Sequence, residues 1–297
     1  MDSVDNVESV MGTAVAMLMT GAYEHLAGLL QQHPGLLADR GADGQTILHF
    51  LAAEGWGKAV LDALRYGANV ADRTGEWVED DVPEGGYYEP GMTALMLAAG
   101  SGSVETVRVL IEAGANVRVE SMFGDTALHL VAVDGPVKIA NLLLANGAAP
   151  EADCVRKRFT EERGWEYAGR PRHVAVTNGQ RGIVRSLLGH GADINAPRVG
   201  EGFTLLILAV GEGDVEMVKL LVAAGADPDR FYAVGDLRNP LRGNALIAAV
   251  IEERFEIGRL LVAAGADVDR PTPDEDADSA RDWGMEFDAE RWGEVFG

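Results

Sequence analysis

Histidines, a cysteine and a cluster of carboxylates are the side chains in this 297-residue chain that could support catalysis or metal binding. His25, His33 and His190 are scattered, without the paired spacing that a metal site requires. Cys154 precedes a short basic segment at 156–158, which would favour its thiolate, but no base or oxyanion hole can be assigned to it. These side chains therefore give no indication of a catalytic or metal centre.

The acidic segment DEDADSARDWGME, at 274–286, is superficially similar to a calcium-binding loop. Its aspartates alternate as calcium ligands do, but Ser279 stands where the sharp turn needs glycine, and Glu286 comes one position late. We interpret the segment as an acidic linker. The sequence predicts no catalytic residue, no metal and no cofactor, and the protein is not expected to be an enzyme.

The stretch LLVAAGAD occurs twice, at 220–227 and at 260–267, and weaker copies end in the same Gly-Ala pair. Counted along the chain, the six glycines of these pairs are separated by 47, 33, 44, 34 and 40 residues. A period in this range predicts stacked structural units and not one closed globule. The glycines are Gly67, Gly114, Gly147, Gly191, Gly225 and Gly265.

A second signature precedes each pair, and its clearest forms are GQTILHFLAAEG at 44–55, GMTALMLAAGSG at 91–102 and GDTALHLVAVDG at 124–135. Each begins with a small or polar residue that suits a turn and a helix N-cap. An apolar stretch follows, then a turn, and then a run with apolar residues at i, i+3, i+4 and i+7. Glycine after that run suits a left-handed C-cap. The predicted unit is turn, helix, turn, helix.

The two motifs resemble the ankyrin repeat, a unit of about 33 residues with the signature T-P-L-H-x-A. The resemblance implies an all-α fold, an ankyrin-repeat solenoid with extended β-hairpin finger loops. In the family the motif histidine, here His49, His129 and His173, hydrogen-bonds backbone in the neighbouring turn, which implies a structural role. Two units depart from the pattern: residues 170–173 replace the opening threonine and core leucine of the fourth, and Asn244 opens the sixth.

Three parts of the chain can be distinguished. Residues 1–42 are expected to form an N-terminal helical cap, 43–269 six ankyrin-like repeats, and 270–297 an acidic linker followed by a C-terminal cap repeat. Atypical terminal units shield the core at the two ends of a solenoid. Long insertions occur where the family has its projecting fingers, and segments of this length in compact arrays tend to be functional or disordered. They lie near 73–90, 153–169 and 230–242.

Aromatic residues concentrate in these insertions, although aromatics make up only 6% of the chain. Disordered linkers are poor in aromatics, whereas interface hot spots are rich in Trp and Tyr. Two interpretations stay open, since the rings can bind a partner or fold back onto the repeats. The rings predicted to bind are Trp77, Tyr87, Tyr88, Trp165, Tyr167, Phe231 and Tyr232.

A second surface follows from the resemblance, because the last two positions of the first helix face the concave groove in ankyrin repeats. The second of these positions is acidic in four of the six units and polar in the other two. A row of carboxylates would attract a cationic ligand, and the alternative is a solvated polar face. The predicted binding positions are Glu54, Asp134, Asn178, Glu212 and Glu252.

The chain carries 47 acidic and 25 basic residues, a net charge of −22. This charge argues against direct binding of nucleic acid or of an anionic membrane. The single cysteine excludes an intramolecular disulfide and suits a reducing compartment. The apolar run at 11–19 follows acidic residues and is too short to cross a bilayer. A soluble, cytoplasmic protein that is monomeric alone is expected.

These observations predict a protein–protein interaction module that binds and inhibits or sequesters a basic partner protein, for example an immunity protein against a cationic toxin. A related alternative is an inhibitor that mimics nucleic-acid charge. A different alternative is a non-inhibitory scaffold or adaptor that bridges two proteins, and another is a small-ligand pocket beside the second finger. The salt dependence of binding distinguishes an inhibitor of a basic protein from a scaffold. Electrostatically steered capture of a basic partner weakens as ionic strength rises, whereas an apolar scaffold contact should not.

Overall fold

A computed structural model describes most of the chain. The described residues are 26–41, 44–75, 90–154, 157–160, 164–167, 169–198, 202–231, 243–272 and 278–297. They belong to two compact units, residues 1–168 and residues 169–297.

In the first unit, three pairs of short helices follow a terminal helix and a 3-10 turn. We call the first helix of each pair inner and the second outer; inner helices pack on inner helices and outer helices on outer helices. The elements are α1 (Leu26–Gln32), the 3-10 turn (Pro34–Leu37), α2 (Ile47–Ala53), α3 (Gly57–Arg65), α4 (Ala94–Gly100), α5 (Val104–Glu112), α6 (Ala127–Asp134) and α7 (Val137–Ala145).

The same unit contains parts of two fingers. In the second finger, β1 (Lys157–Thr160) pairs antiparallel with β2 (Gly164–Tyr167). At the base of the first finger, the Thr74 N–H donates to the Met92 carbonyl at 2.9 Å. Most of the first and third fingers, 76–89 and 232–242, lies outside the described residues. Extended hairpins in all three fingers therefore stay a prediction.

The second unit repeats the arrangement with three further pairs and a long terminal helix that packs against both helices of the last pair. Inside this terminal helix the backbone kinks at Asp288, where φ is −154°. The elements are α8 (Pro171–Thr177), α9 (Arg181–Gly189), α10 (Leu205–Glu212), α11 (Val215–Ala223), α12 (Ala245–Ile251), α13 (Phe255–Ala263) and α14 (Ala280–Phe296).

The helical units follow the predicted pattern, but the predicted division into caps and repeats is described only in part. The first helix expected in the N-terminal cap falls within 1–25, and part of the acidic linker falls within 273–277, and both lie outside the described residues. The boundaries 1–42, 43–269 and 270–297 therefore stay a prediction.

Helix ends are fixed by the residues that the motifs repeat. At α10 the Thr204 hydroxyl accepts from the Ile207 N–H, and at α12 the Asn244 side chain accepts from the Ile247 N–H. Asn244 therefore replaces the usual threonine without losing the cap. The glycine of every Gly-Ala pair has φ between 87° and 103°, the left-handed region that closes a helix. The predicted C-caps are confirmed.

Burial follows one scheme along the inner helices. In α10 the first three residues are buried, Leu208 is half-buried, the fifth and sixth residues are buried, and Gly211 and Glu212 are exposed. Helix α12 has the same pattern up to its half-buried Ile251. An inner helix therefore uses five positions in the core, because it packs against its own outer helix and against neighbouring inner helices.

Polar contacts join consecutive repeats at both turns of the second unit. At the outer turn, the Asp227 N–H donates to Asn195 Oδ1 at 2.8 Å. At the inner turn, Arg181 Nη1 lies 2.8 Å from Asp214 Oδ2. Each contact joins groups from two repeats, so it forms only when the repeats are stacked.

The end of the second unit is closed by aromatic packing. Trp292, fully buried, lies against α13, where its ring centroid is 4.8 Å from that of Phe255. A Cβ added at Gly258 would lie 2.5 Å from the Trp292 ring, so only glycine permits this approach. On the other side Phe296 stacks on Trp292 at 5.3 Å. The indole therefore fixes α14 on the last repeat.

Replacing Trp292 by alanine tests this closure. We expect the free energy of unfolding to fall by about 3–5 kcal/mol, because the change leaves a large cavity at the end of the core. Phe287→Ala in the same helix is the control, since that ring is 54% exposed, and its effect should stay within about 0.5 kcal/mol. Urea titration followed by circular dichroism measures both, and equal losses would contradict the assignment of Trp292 as the closing residue.

Candidate functional site

The predicted carboxylates lie at the ends of the inner helices. In the first unit Glu54 follows α2 and Asp134 ends α6, and in the second Glu212 ends α10 and Glu252 follows α12. All four are exposed. Within the described part of the chain, none of them forms an ion pair, although other surface acids do. The four charges are therefore available to another molecule.

The two polar members of the row are engaged with their own helices. Asn178 donates through its side-chain amide to the Val174 carbonyl at 2.8 Å. The Ser101 hydroxyl donates to the Ala98 carbonyl at 3.1 Å. Both bonds satisfy carbonyl groups near a helix end. Asn178, which the sequence places among the binding residues, has a local capping role here, and its contact with a partner stays a prediction.

Beside the carboxylates lies a set of apolar side chains that the sequence-based prediction missed. The fourth residue of each inner helix is apolar, and four times it stands four residues before an acid, so both lie on the same face of the helix. This spacing was the signal that could have revealed them. The residues are Phe50, Leu97 and Leu130 in the first unit, and Val174, Leu208 and Ala248 in the second.

In the second unit this face contains a cavity of about 160 Å³ between α10 and α12. Its walls are almost wholly apolar and include Phe203, Ile207 and Leu208. Glu212 and Glu252, one from each helix, also line it. The fold thus brings two of the predicted carboxylates to one apolar cavity, which the row of acids alone did not predict.

One cation lies near this cavity. Arg254 Nη2 donates to the Gly211 carbonyl at 3.5 Å. It forms no ion pair with Glu212 or Glu252 within the described residues, and Glu253 beside them is exposed. With Glu212 and Glu252 at the cavity and one guanidinium beside it, the rim of the cavity is acidic.

The predicted aromatic residues are described less completely. Trp77, Tyr87, Tyr88 and Tyr232 lie outside the described residues. Trp165 and Tyr167 lie in β2, where their backbone partners are Phe159 and Lys157. The assignment of these six residues to partner binding stays a prediction.

Phe231, at the base of the third finger, is the one predicted ring whose surroundings are described. It is half-buried, and the Arg270 guanidinium lies over it at 5.0 Å from the ring centroid. This cation–π contact supports the interpretation that the ring packs onto the repeats. The exposed part of the ring still leaves room for a partner.

The motif histidines behave in two ways. At His49, Nδ1 accepts from the Thr46 N–H at 3.1 Å and Nε2 lies 3.1 Å from the Asp72 carbonyl, which confirms the backbone role. Burial lowers the pKa of His49, so its ring is neutral near pH 7. The His129 Nδ1 accepts from the Thr126 N–H in the same way.

At His173 the expected backbone contact is weaker, because neither ring nitrogen reaches hydrogen-bond geometry. The N-cap of α8 is Arg170 in place of threonine, and its side chain makes no capping bond. Burial lowers the pKa of His173 to about 3, and the charges of Arg172, Arg198 and Arg170 add to the effect. The carbonyl of Ala196 in the neighbouring turn still raises the pKa, but it opposes this shift only in part. The buried ring is therefore neutral and poorly satisfied.

No group of three or more His, Cys, Asp or Glu side chains among the described residues is arranged to hold a metal ion. None of the described helices combines the length and the apolar character needed to cross a membrane.

Stacked pairs of short helices, joined by tight turns and by longer projecting connections, define this molecule as a helical repeat protein. Residues 76–154 and 170–272 match the family description "Ankyrin repeats (3 copies)". The chain belongs to the ankyrin repeat family. Ankyrin repeats are protein–protein interaction modules, and the fold is typically a non-enzymatic scaffold.

Among similar proteins, "Ankyrin repeat and KH domain-containing protein mask-1" of Caenorhabditis elegans is 34% identical over 139 residues, 47% of this chain and 5% of that protein. "Nuclear factor NF-kappa-B p105 subunit" of Gallus gallus is 33% identical over 138 residues, 46% of this chain and 13% of that protein. The chain thus matches a small part of each of these relatives.

A bacterial relative, the "Putative ankyrin repeat-containing protein" of Treponema pallidum, is 29% identical over 147 residues, 49% of this chain and 45% of that protein. Among solved structures, the human ASB11 ankyrin repeat domain matches with a TM-score of 0.60 and 24% identity. The match covers 85% of this chain and 99% of that domain, and it shows the fold.

Replacing His173 by isoleucine should stabilise the protein, because Ile207 and Ile247 occupy the same helix position in later repeats. At pH 7 we expect a gain of about 1 kcal/mol from removing a buried unsatisfied ring. The wild-type ring stays neutral in the folded state, whereas the unfolded chain gains a proton below about pH 6.5. Wild-type stability is therefore lost as the pH falls from 6.5 towards 3, and the advantage of the variant grows by about 1.4 kcal/mol per pH unit.

The matched control is His129→Ile, the same change at the same helix position. There the substitution removes the acceptor for the Thr126 N–H, so we expect a loss of about 1–3 kcal/mol at pH 7. Urea titrations between pH 7 and pH 4 measure both variants. A His173→Ile variant that is less stable than the wild type, or that follows it in parallel with pH, would contradict this description.

Proposed function

We propose that this protein binds a basic partner protein through the exposed face of its inner helices and thereby inhibits or sequesters it. The observation that carries the proposal is found in both units, where exposed carboxylates, none in an ion pair within the described residues, stand four positions after apolar side chains of the same inner helix. An unused carboxylate beside an apolar group suits basic side chains, whose stems are apolar and whose ends are charged.

Charge and apolar contact have different roles in this proposal. Exposed ion pairs contribute only about 0.2–1 kcal/mol each, so four carboxylates alone do not make a tight complex. Their effect is to speed encounter and to exclude acidic competitors. The half-buried apolar residues, among them Phe50 and Leu208, supply surface whose burial drives association. The aromatic residues of the fingers would add anchors for the same partner.

The biological form that we favour is an immunity protein that blocks a cationic toxin in the cytoplasm, acting as a monomer. The net charge of −22 also suits a closely related role, in which the acidic face mimics nucleic acid and occupies the binding site of a nucleic-acid-binding protein. Both roles place a basic surface of the partner against the inner helices.

A scaffold is the second candidate, and one observation favours it. The outer helices α5 and α7 of the first unit border a groove of about 380 Å³, lined by Val104, Leu142 and Ala145 together with Arg108 and Lys138. Arg108 is paired with Glu105, so Lys138 is the lining cation that makes this groove less acidic than the inner face. A chain with two surfaces of different charge could bridge two partners of different chemistry.

Charge reversal on the inner face separates these candidates. A variant with Glu54, Asp134, Glu212 and Glu252 changed to Lys is compared with a control in which four exposed acids outside the inner helices are changed in the same way. The two variants have equal net charge. The control positions are Glu112, Glu256, Glu286 and Glu290.

Affinity capture from a lysate of the source cells, at about 0.05 M and about 0.5 M salt, identifies the partner, and titration with the purified partner gives Kd. We expect both the wild type and the control to bind a basic protein, and salt to release it. The inner-face variant should bind the same protein at least tenfold more weakly. A partner that persists through salt and through reversal of the inner face would contradict the proposal and support the scaffold. If both variants lost the same affinity for the partner, the loss would come from net charge and not from the inner face.

A further inference from the structure

We propose that the cavity between α10 and α12 is a specificity pocket that receives one lysine or arginine side chain of the partner. This inference rests on the proposed function and names the group that the inner face would select. The pocket is formed within the second unit, by Leu208, Gly211 and Glu212 of one repeat and by Ala248 and Glu252 of the next.

The size and the walls of the cavity fit the stem of such a side chain. A single water needs about 10–15 Å³ of cavity, and 160 Å³ is far more than that. Phe203, Ile207 and Leu208 offer no buried polar group to a ligand, so the interior suits methylene groups. A short polar side chain would lose water in this cavity without gaining a hydrogen bond.

The rim selects the charge of the end group. Glu212 and Glu252 stand on neighbouring inner helices, and neither is in an ion pair within the described residues. A guanidinium or ammonium group at the mouth would lie between two carboxylates and stay partly hydrated. An acidic side chain would be repelled, and a leucine would fill the cavity but leave both carboxylates without a partner.

The cavity exists because two residues are small. Gly211 and Ala248 face it from α10 and α12, and a Cβ added at Gly211 would meet no atom within 4 Å. At the place of Gly211 three other inner helices carry Val133, Thr177 and Ile251; α4 has Gly100 there, but Leu130 of the next repeat approaches it, 4.0 Å from an added Cβ. A cavity of this kind therefore depends on the sequence of these two repeats and does not follow from the fold alone.

Small probes test the pocket directly on the full-length chain. Pentylammonium, pentanoate and pentanol have similar apolar stems and differ in charge. We expect pentylammonium to shift the methyl resonances of Ile207, Leu208 and Ala248 with saturation, pentanoate to leave them unchanged, and pentanol to bind at least fivefold more weakly than pentylammonium. Pentanoate binding equal to that of pentylammonium, or no saturable shifts at these methyls, would overturn the proposal.

Substitutions test the contributions of the apolar walls and of the acidic rim of the cavity separately. Glu212→Gln with Glu252→Gln should weaken pentylammonium at least fivefold and leave pentanol unchanged. Arg254→Gln should strengthen pentylammonium binding, because it removes a cation that lies beside the cavity at the Gly211 carbonyl. Gly211→Leu should abolish binding of both probes by filling the cavity. Its control is Gly189→Leu on the exposed end of α9, where an added Cβ also meets no atom, and this variant should bind as the wild type does.

Failure of the pocket and failure of the proposed function give different results. If pentylammonium does not bind, but the partner is lost on reversal of Glu54 and Asp134, the pocket is wrong and the acidic face stands. If pentylammonium binds as expected and no basic partner depends on the carboxylates, the pocket stands without the proposed function. With the captured partner, Gly211→Leu should raise Kd at least tenfold and Gly189→Leu should not; an unchanged Kd for Gly211→Leu would overturn the use of the pocket.

Discussion

The packing of each inner helix between its neighbours is the constraint on which the other features depend. A helix of seven or eight residues has few positions, and contact with an outer helix and with adjacent inner helices places five of them in the core. The N-cap residue and the left-handed glycine fix where each helix pair begins and ends. The remaining positions, the fourth and those at the end of the helix, are therefore the ones at least partly exposed in most repeats; in α4 the fourth residue, Leu97, is buried as well.

This constraint explains why charge and apolar surface occur together. The fourth and eighth positions are neighbours on one face of a helix, so an apolar residue at one and an acid at the other form a pair in each repeat that carries both. In the second unit stacking sets two such pairs, at α10 and α12, beside one another, whereas in the first unit α4, which is followed by Ser101, lies between the pairs at α2 and α6. Charge acts at long range and apolar contact at short range, so the same face can attract a basic partner and then hold it.

Local patterns of the sequence predicted much of this arrangement. The glycine of the Gly-Ala pair and the polar residue before each inner helix fix the helix ends, and these interactions lie within a few residues of the chain. The four carboxylates were assigned to the concave surface by the resemblance to the ankyrin repeat, which fixes their place in each unit. Asn244 shows the limit of comparison with a motif, because it departs from threonine and still caps its helix.

Features that depend on two repeats at once could not be predicted in this way. The cavity exists because Gly211 and Ala248, small residues from helices far apart in sequence, meet across an interface. His173 shows the same difficulty, since the loss of the threonine was visible but the lack of a well-placed partner for the ring was not. The close approach of Trp292 to Gly258 also joins distant segments. The form of the fingers is not fixed by the repeat pattern, because their lengths and sequences differ.

Site-specific photocrosslinking is the most direct test of whether the inner helices bind a basic partner. A benzoylphenylalanine at Leu208 on the inner face is compared, in the source cells, with one at Leu142 on the outer helices. We expect the probe at position 208 to crosslink to one protein, at a peptide rich in lysine or arginine. The probe at position 142 should not crosslink to that protein. Crosslinks from Leu142 alone, or from Leu208 to an acidic peptide, would contradict the claim that the inner helices bind a basic partner.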